Sequence, residues 1–330
     1  MTLIEKVWYQ PTPTFIILKW LLFPLMWVFW CLSSIRRIGY RNGWLKSWRV
    51  DVPVIIVGNI SVGGNGKTPL VVYLANWLVE QGYKPGILSR GYGGKSSFYP
   101  AGVDSQSDVA KVGDEPILIK QRVSCPVVVD PKRTRGAKYL KDKYQCNIIL
   151  CDDGLQHYAL QRDIEIVVVD GSRRYGNRWL LPMGPLRESE GRVKSVDFVV
   201  NNGGPAGKDE VLMEIEPDDL INVKNVNQSM PLSDLSEATA VAAIGNPERF
   251  FSLLDHHNVT LKQRLSFIDH YQFKAQDIPD GTVVMTEKDA VKCRAIAHED
   301  WWFLPIRATL PDTFLMALKQ RLDTLNKEKE

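Results

Sequence analysis

A glycine-rich segment near residue 60 constrains the fold of this chain more than any other feature of its sequence. It reads Ser61-Val62-Gly63-Gly64-Asn65-Gly66-Lys67-Thr68, follows the apolar run Val54–Val57 and precedes an amphipathic stretch from Pro69 to Gln81. In such a strand–loop–helix unit, glycines let backbone N–H groups turn inward onto phosphate oxygens. The lysine reaches the outer phosphates, and the threonine hydroxyl is placed for Mg²⁺. The segment therefore predicts a nucleotide site formed by all eight residues, although Ser61 stands where the usual consensus has glycine.

The apolar runs after residue 51 predict a parallel sheet. Short β-branched runs alternate with helical stretches, and continuous apolar strands of this kind are buried by helices on both faces. The strands expected first are Val52–Val57, Ile87–Leu88, Val127–Val129, Ile148–Leu150, Ile164–Val169 and Phe198–Val200. A later set, Ala240–Ile244, Val283–Met285 and Trp302–Leu304, indicates a smaller α/β unit. The expected fold class is α/β, a P-loop NTPase-type α/β/α sandwich with a mostly parallel sheet and a smaller C-terminal α/β domain.

The first 50 residues differ in composition from the rest of the chain. They hold seven Lys and Arg against the single acid Glu5, together with six of the ten tryptophans. The apolar run from Trp20 to Leu32 is shorter than the roughly 20 residues of a spanning helix. Basic side chains beside Trp-rich apolar sequence suit the headgroup region of an anionic bilayer, so we expect a helix that dips into one leaflet. A helix packed on the protein's own core and a true membrane span are the alternatives.

Acidic residues follow the strand expected at Ile148–Leu150. Asp152 and Asp153 lie at the carboxyl edge, where ligands of parallel sheets bind, and an aspartate there can hold Mg²⁺. Adjacent aspartates are also common helix caps and turn formers. Asp114 and Glu115 precede another helical stretch, where acids favour the N-terminal end of the dipole. His270 can equally be structural or catalytic.

At this point the motifs resemble one family, the tetraacyldisaccharide 4′-kinases, which are the lipid A 4′-kinases of Gram-negative bacteria. The resemblance spans most of the chain and accounts for Ser61, because the family's loop also begins with serine. The matching segments are Ser61–Pro69, Leu88–Gly93, Gly113–Pro116, Asp152–His157, Leu180–Glu188, Phe267–Tyr271 and Thr286–Lys292.

The resemblance implies transfer of the ATP γ-phosphate to the 4′-hydroxyl of a tetraacylated glucosamine disaccharide 1-phosphate, giving lipid IVA. It also implies two α/β/α domains joined by a two-stranded linker, with the site between them. Asp114 would be the general base and His270 its partner from the second domain. The implied cofactors are ATP and Mg²⁺. The phosphate and metal side would be formed by Lys67, Thr68, Asp152 and Asp153, with Glu115 as a further candidate metal ligand. Arg90, Arg133 and Arg187 are candidates for contact with the substrate phosphate or the transition-state charge, and each could equally form a surface ion pair.

The expected organisation is an apolar, basic membrane-associated segment at 1–50, a P-loop kinase domain at 51–208 and a smaller α/β domain with its linker at 209–309. Residues 310–330 are expected to pack back on the kinase domain. We expect a monomer at the cytoplasmic face of the bacterial inner membrane, with a glycolipid substrate and no nucleic-acid partner. The alternatives are a membrane-associated P-loop ATPase or GTPase switch and a non-catalytic adaptor.

Overall fold

The computed structural model describes residues 3–10 and 15–327, and its larger part is built on a nine-stranded sheet. The strand order is β15-β8-β7-β6-β1-β5-β2-β4-β3, and only the edge strands β3 and β15 run antiparallel to their neighbours. The mostly parallel sheet predicted from the apolar runs is therefore confirmed. Its strands are β1 Val54–Gly58, β2 Pro85–Ser89, β3 Ala101–Val103, β4 Val127–Val129, β5 Ile148–Asp152, β6 Ile164–Asp170, β7 Phe198–Asn202, β8 Val211–Pro217 and β15 Ile306–Thr309.

Helices cover both faces of this sheet because successive side chains of a buried strand point to opposite sides. Ile55 and Val57 of β1 pack into one core with helices α3, α5 and α9, while Val54 and Ile56 pack into the other with α2 and α6. The helices of the described chain are α1 Leu3–Tyr9, α2 Ile16–Arg41, α3 Lys67–Glu80, α4 Val109–Val112, α5 Asp114–Arg122, α6 Arg133–Tyr144, α7 Pro247–His256, α8 Glu287–Cys293 and α9 Asp312–Lys327. Helix α9 buries Phe314 and Leu318 against the first sheet.

A second, six-stranded sheet forms the smaller part, in the order β10-β9-β14-β13-β11-β12. Helix α7 covers one face with Phe250 and Phe251, and helix α8 covers the other with Ala290 and Cys293. The strands are β9 Leu220–Asn222, β10 Ser229–Met230, β11 Glu237–Ala242, β12 Thr260–Ser266, β13 Val283–Thr286 and β14 Trp301–Leu304.

The two sheets are joined by the segments that leave β8 and enter β15. These two strands pair with each other antiparallel and extend the first sheet, so the chain crosses between the sheets at Asp218–Asp219 and at Pro305. Helix α5 of the first part also packs against helix α8 of the second.

Helix α2 is longer than the apolar run that predicts it, because the basic residues after Leu32 continue the helix to Arg41. Its 26 residues span about 39 Å, and by length and composition it qualifies as a membrane-crossing helix. Met26 and Gly39 are its only buried residues, whereas Leu21 is 70% exposed. One side of the helix packs on the first sheet through Phe23 and Met26, whereas the rest of its apolar surface is open and can associate with a membrane.

Candidate active site

The glycine-rich loop connects β1 to α3, as its sequence context predicts. Gly66 has φ of +87°, and a Cβ there would lie 1.9 Å from Asn202 Nδ2, so only glycine fits. Asn202 Nδ2 donates to the Asn65 carbonyl over 2.9 Å, and Asn65 Nδ2 donates to Ser61 Oγ over 2.8 Å. The Ser61 hydroxyl therefore fixes the loop, which is a physical reason for serine at this position.

Lys67 and Thr68 open helix α3 beside the end of β5. Lys67 Nζ lies 3.7 Å from Asp153 Oδ1, and Arg187 Nη2 donates to the same oxygen over 3.0 Å. Burial alone would raise the pKa of Asp153, but the positive charges of Lys67 and Arg187 outweigh it and hold the pKa well below its usual value. Asp153 therefore stays ionised and holds the two cations at the mouth of the loop.

Asp152 differs from its neighbour because it is buried at the end of β5. Ser89 Oγ donates to its Oδ2 over 3.3 Å, while its buried Oδ1 has no hydrogen-bond partner among the described residues. Burial and then the negative charge of Glu115 raise the pKa of Asp152 to about 7. A buried, under-satisfied carboxylate within the field of a second carboxylate, Glu115, is a setting that suits Mg²⁺. Within residues 3–10 and 15–327, no group of three or more His, Cys, Asp or Glu is arranged to hold a metal ion.

Asp114 and His270, which are 156 residues apart, meet between the two sheets. His270 Nδ1 lies 2.9 Å from Asp114 Oδ2 and 3.1 Å from Oδ1, and Asp114 is buried as the first residue of α5. Burial would raise the pKa of Asp114, but the His270 hydrogen bond and the charge of Lys288 lower it below its usual value. Burial would likewise lower the pKa of His270, and the hydrogen bond to Asp114 raises it instead. The two shifts describe an ionised carboxylate beside a histidine that readily carries a proton.

Two features of the backbone hold this pair in place. Gly113 has φ of +88°, and a Cβ there would lie 2.5 Å from the Tyr92 carbonyl oxygen, so glycine is required just before Asp114. His270 itself has φ of +61°, which is uncommon for a residue with a side chain, and its N–H donates to Asp269 Oδ1 over 3.0 Å. The Tyr92 ring lies 5.0 Å from the His270 ring.

The three arginines take different positions. Arg133 is buried, and its guanidinium donates to the carbonyls of Leu88 and Asp152 over 3.0 and 2.6 Å, so it ties the ends of β2 and β5 together. This geometry favours a structural role over contact with a substrate. Arg187 binds Asp153, as described, and the side chain of Arg90 is exposed at the end of β2.

Some residues of this region are not singled out by sequence reasoning. His157 ends the Asp152–His157 motif, and burial followed by the positive charges of Arg133, Arg162, Arg36 and Arg90 lowers its pKa to about 4. A second example is the segment after β11. Gly245 of its turn approaches Gly64 of the loop, and Arg249 Nη2 of the following helix α7 donates to Asn202 Oδ1 over 2.6 Å. Of these residues, only His157 could have been noticed in the sequence, because it ends a family motif. The contacts of Gly245 and Arg249 join segments that are far apart in the chain, so no local pattern predicts them.

A glycine-rich phosphate loop, an acid at the end of the neighbouring strand and a carboxylate–histidine pair from two α/β parts together define a P-loop kinase. Comparison with known proteins identifies the kinase family. The chain belongs to the tetraacyldisaccharide-1-P 4′-kinase family, LpxK, whose model matches residues 18–323.

Similar proteins cover nearly the whole chain. The tetraacyldisaccharide 4′-kinase of Pseudoalteromonas atlantica is 56% identical over 300 residues, which are 91% of this chain and 98% of that protein. The enzyme of the same name from Tolumonas auensis is 47% identical over 327 residues, 98% of each chain. Among solved structures, the crystal structure of the "apo" form of LpxK from Aquifex aeolicus in complex with ATP is similar, with a TM-score of 0.76 and 28% identity over 92% of this chain and 99% of that one.

Proposed function

We propose that this protein is an ATP-dependent lipid kinase that transfers the γ-phosphate of ATP to the 4′-hydroxyl of a tetraacylated glucosamine disaccharide 1-phosphate, giving lipid IVA in lipid A biosynthesis. The membership of the kinase family supports this function. The single structural observation that carries it is the contact between Asp114 and His270, 2.9 Å apart, which joins the two parts of the molecule. A nucleotide switch needs no such pair.

The donor side is formed by the loop from Ser61 to Thr68. Its backbone N–H groups and Lys67 would hold the phosphates of ATP, and Thr68, Asp152 and Glu115 would hold Mg²⁺, with Asp153 keeping Lys67 in place. When bound, Mg²⁺ would neutralise the negative charge on the phosphoryl group that is transferred. Asp152 suits this role because its buried Oδ1 lacks a partner among the residues that are described.

The acceptor side is formed by Asp114 and His270. A sugar hydroxyl is a poor nucleophile, so its attack benefits from a carboxylate that orients it and accepts its proton. Asp114 is ionised because His270 and Lys288 lower its pKa, so it can accept a hydrogen bond from the hydroxyl. The lowered pKa also makes it a weaker base, so a large part of its contribution would be orientation of the hydroxyl. His270 would steady the carboxylate and, since it comes from the second sheet, would complete the site only when the two parts are together.

Positive charge near the same edge suits an anionic glycolipid. The exposed Arg90 lies at the end of β2, within the field of cations that lowers the pKa of His157. Arg90 and Arg187 would attract the 1-phosphate of the substrate or stabilise the charge of the transition state. Arg133 would act by fixing the strand ends from which Asp152 and Asp153 project.

The N-terminal segment would place the site at a lipid surface. Helix α2 ends near the site: the Tyr40 ring lies 6.1 Å from the ring of Tyr158, whose hydroxyl bonds Glu188. Glu188 in turn accepts from Gln156, which also donates to the carbonyl of Asn59 just before the loop. The basic residues that follow the apolar part would keep the body of the protein at the cytoplasmic face of the inner membrane. We propose that it acts there as a monomer.

Measuring ATP consumption with and without the glycolipid tests the kinase against the alternative of a membrane-associated ATPase or GTPase switch. We expect little hydrolysis of ATP alone and strong stimulation by the tetraacylated disaccharide, because a site completed by the acceptor limits wasteful hydrolysis. Equal turnover with and without the lipid would support the switch.

A further inference from the structure

Lys288, the second residue of α8, lies at the boundary between the two sheets. Its Nζ is 3.0 Å from Glu115 Oε1 in the first part and 3.0 Å from Asp269 Oδ1 in the second. The lysine side chain is only 12% exposed. It is therefore a largely desolvated cation held between two carboxylates that belong to different parts of the molecule.

Each of these carboxylates is the chain neighbour of one member of the Asp114–His270 pair. Glu115 follows Asp114 at the start of α5, and Asp269 precedes His270 and accepts its backbone N–H over 3.0 Å. Lys288 thus joins the two backbones from which Asp114 and His270 project. The lysine lies beside the Asp114–His270 pair and binds the chain neighbour of each member.

The place of Lys288 in its own helix gives no other reason for a cation. The N-terminal end of a helix is its positive end, so lysine in the first turn is unfavourable there, whereas acids are favourable. Burying an ammonium also costs free energy unless it is paired. Helix α8 already has its own cap, because Thr286 Oγ1 accepts from the Asp289 N–H over 3.2 Å. A lysine at this position therefore serves the contact between the two parts.

Electrostatics agrees with this assignment. Three carboxylates, Asp114, Glu115 and Asp269, converge here, and the cations facing them are Lys288, His270 and, further into α8, Lys292. Without Lys288 the three carboxylates would repel one another and push the two parts away from each other.

We propose that Lys288 is a positioning residue for the phosphoryl transfer: by bridging Glu115 and Asp269 it sets the distance and alignment of Asp114 and His270. This inference rests on the proposed function, because it concerns the same site. This bridge between Glu115 and Asp269, which we call the brace, affects the rate of phosphoryl transfer after the substrates have bound. Its loss should therefore lower kcat and leave the KM for ATP nearly unchanged.

The test uses the full-length protein and steady-state kinetics at one pH. We expect Lys288→Met to lower kcat about 100-fold, the cost of a displacement of about 1 Å at the reacting groups, with the KM for ATP within about threefold of the wild-type value. Lys288→Arg keeps the charge and should recover most of the lost kcat. Asp269→Asn cuts the brace at its other end and should lower kcat in the same direction by about tenfold.

Two control variants distinguish loss of the Lys288 bridge from a general loss of contacts or surface charge. Arg294→Gln removes a different contact with α5, the bond from the residue just after α8 to Gln121 Oε1, and Lys262→Met removes an exposed lysine paired with Glu237. Both should keep the wild-type kcat. A readout that does not depend on turnover is the ¹⁵N signal of His270 Nδ1, which should lose the signature of its hydrogen bond to Asp114 in Lys288→Met and keep it in Arg294→Gln.

Wild-type kcat and an unchanged His270 signal in folded Lys288→Met would overturn the inference while leaving the kinase function intact. A rise in KM with kcat unchanged would overturn it as well, because it would assign Lys288 to substrate binding. If Lys288→Met does not fold, Asp269→Asn decides by the same two criteria. If the wild-type protein itself transfers no phosphate, the proposed function fails, and the His270 signal alone decides whether Lys288 positions the pair.

Discussion

Asp114 is the residue on which the proposed reaction depends most. Its carboxylate is buried, accepts the N–H of Glu115 over 2.8 Å and contacts His270 on its other side. A purely local role at the start of α5 would need only the first of these bonds. The second, to a histidine from the other sheet, adds nothing to α5 itself and is the contact on which the proposed catalytic role rests.

Replacing Asp114 by Asn separates the two roles. We expect kcat to fall by about 10²- to 10⁴-fold, the usual contribution of a positioned general base, while the affinity for ATP changes little because the phosphate loop is untouched. Asp108→Asn is the matched control, since Asp108 caps the neighbouring helix α4 by accepting the Ala110 N–H. Turnover close to wild type in Asp114→Asn would reduce Asp114 to a helix cap.

Gly66 is the second residue whose identity the structure explains. Two left-handed glycines can be compared: Gly66, where a Cβ would strike Asn202, and Gly82, where a Cβ meets nothing within 4 Å. Alanine at either position costs about 1 kcal/mol of unfolding free energy through backbone strain. Only Gly66→Ala should also weaken ATP binding, as measured by calorimetry, because the loop must move away from Asn202. Equal ATP affinities in the two variants would show that the loop geometry does not depend on this close contact.

At the scale of elements, helix α2 is the most unusual part of the fold because its apolar face has little protein to cover it. Phe23 and Met26 pack on the first sheet, while Trp20 and Leu21 are 63% and 70% exposed. An exposed face of this kind marks an interaction surface. A lipid bilayer is the partner that its tryptophans and following arginines suit.

Changing Trp20 and Leu21 to serine should reduce sedimentation with vesicles that contain anionic lipid, because less apolar surface enters the bilayer. The control is Met316→Ser on α9, which is equally exposed at 70% but lies on the opposite face of the sheet from α2. Vesicle binding that is unchanged in the Trp20 and Leu21 variant would exclude this face as the contact.

Glu287, at the start of α8, contacts α5, and its buried environment predicts that the stability of the protein depends on pH. Glu287 lies 3.6 Å from Arg122, and burial raises its pKa from 4.5 to about 7. Because the folded pKa is raised, the protonated form favours folding. This contribution is complete below pH 4.5 and is lost as the pH rises through 7. Its full size is about 3 kcal/mol. Relative to Glu287→Gln, the wild type should therefore lose thermal stability between about pH 5 and 8, and a constant difference in Tm across that range would contradict the assignment.

The elements differ in how far their sequences predict them. Buried strands such as β1 and β4 are continuous apolar runs and are visible in advance. Strand β12, Thr-Leu-Lys-Gln-Arg-Leu-Ser, is an exposed edge strand of the second sheet, so it has no apolar run to reveal it. Helix α2 extends beyond its apolar run because basic residues are good helix formers.

At the scale of the whole molecule, the site is assembled from segments that the sequence keeps far apart. The phosphate loop and the acids after β5 can be predicted, since each depends on local sequence and on the carboxyl edge of one sheet. Sequence patterns alone leave the roles of Asp114 and His270 open, and the resemblance to a family is what proposes their pairing. The bridge made by Lys288 depends on tertiary packing of α8 against α5, which no local pattern contains.

The central claim is that the two parts of the molecule together transfer phosphate from ATP to a lipid disaccharide. The most direct measurement is incubation of the full-length protein with ATP, Mg²⁺ and the tetraacylated disaccharide 1-phosphate, followed by mass spectrometry of the lipid and assignment of the modified hydroxyl by NMR. We predict a product that has gained one phosphate at the 4′ position. ATP hydrolysis with the lipid mass unchanged, or a phosphate gained at another hydroxyl, would contradict this account.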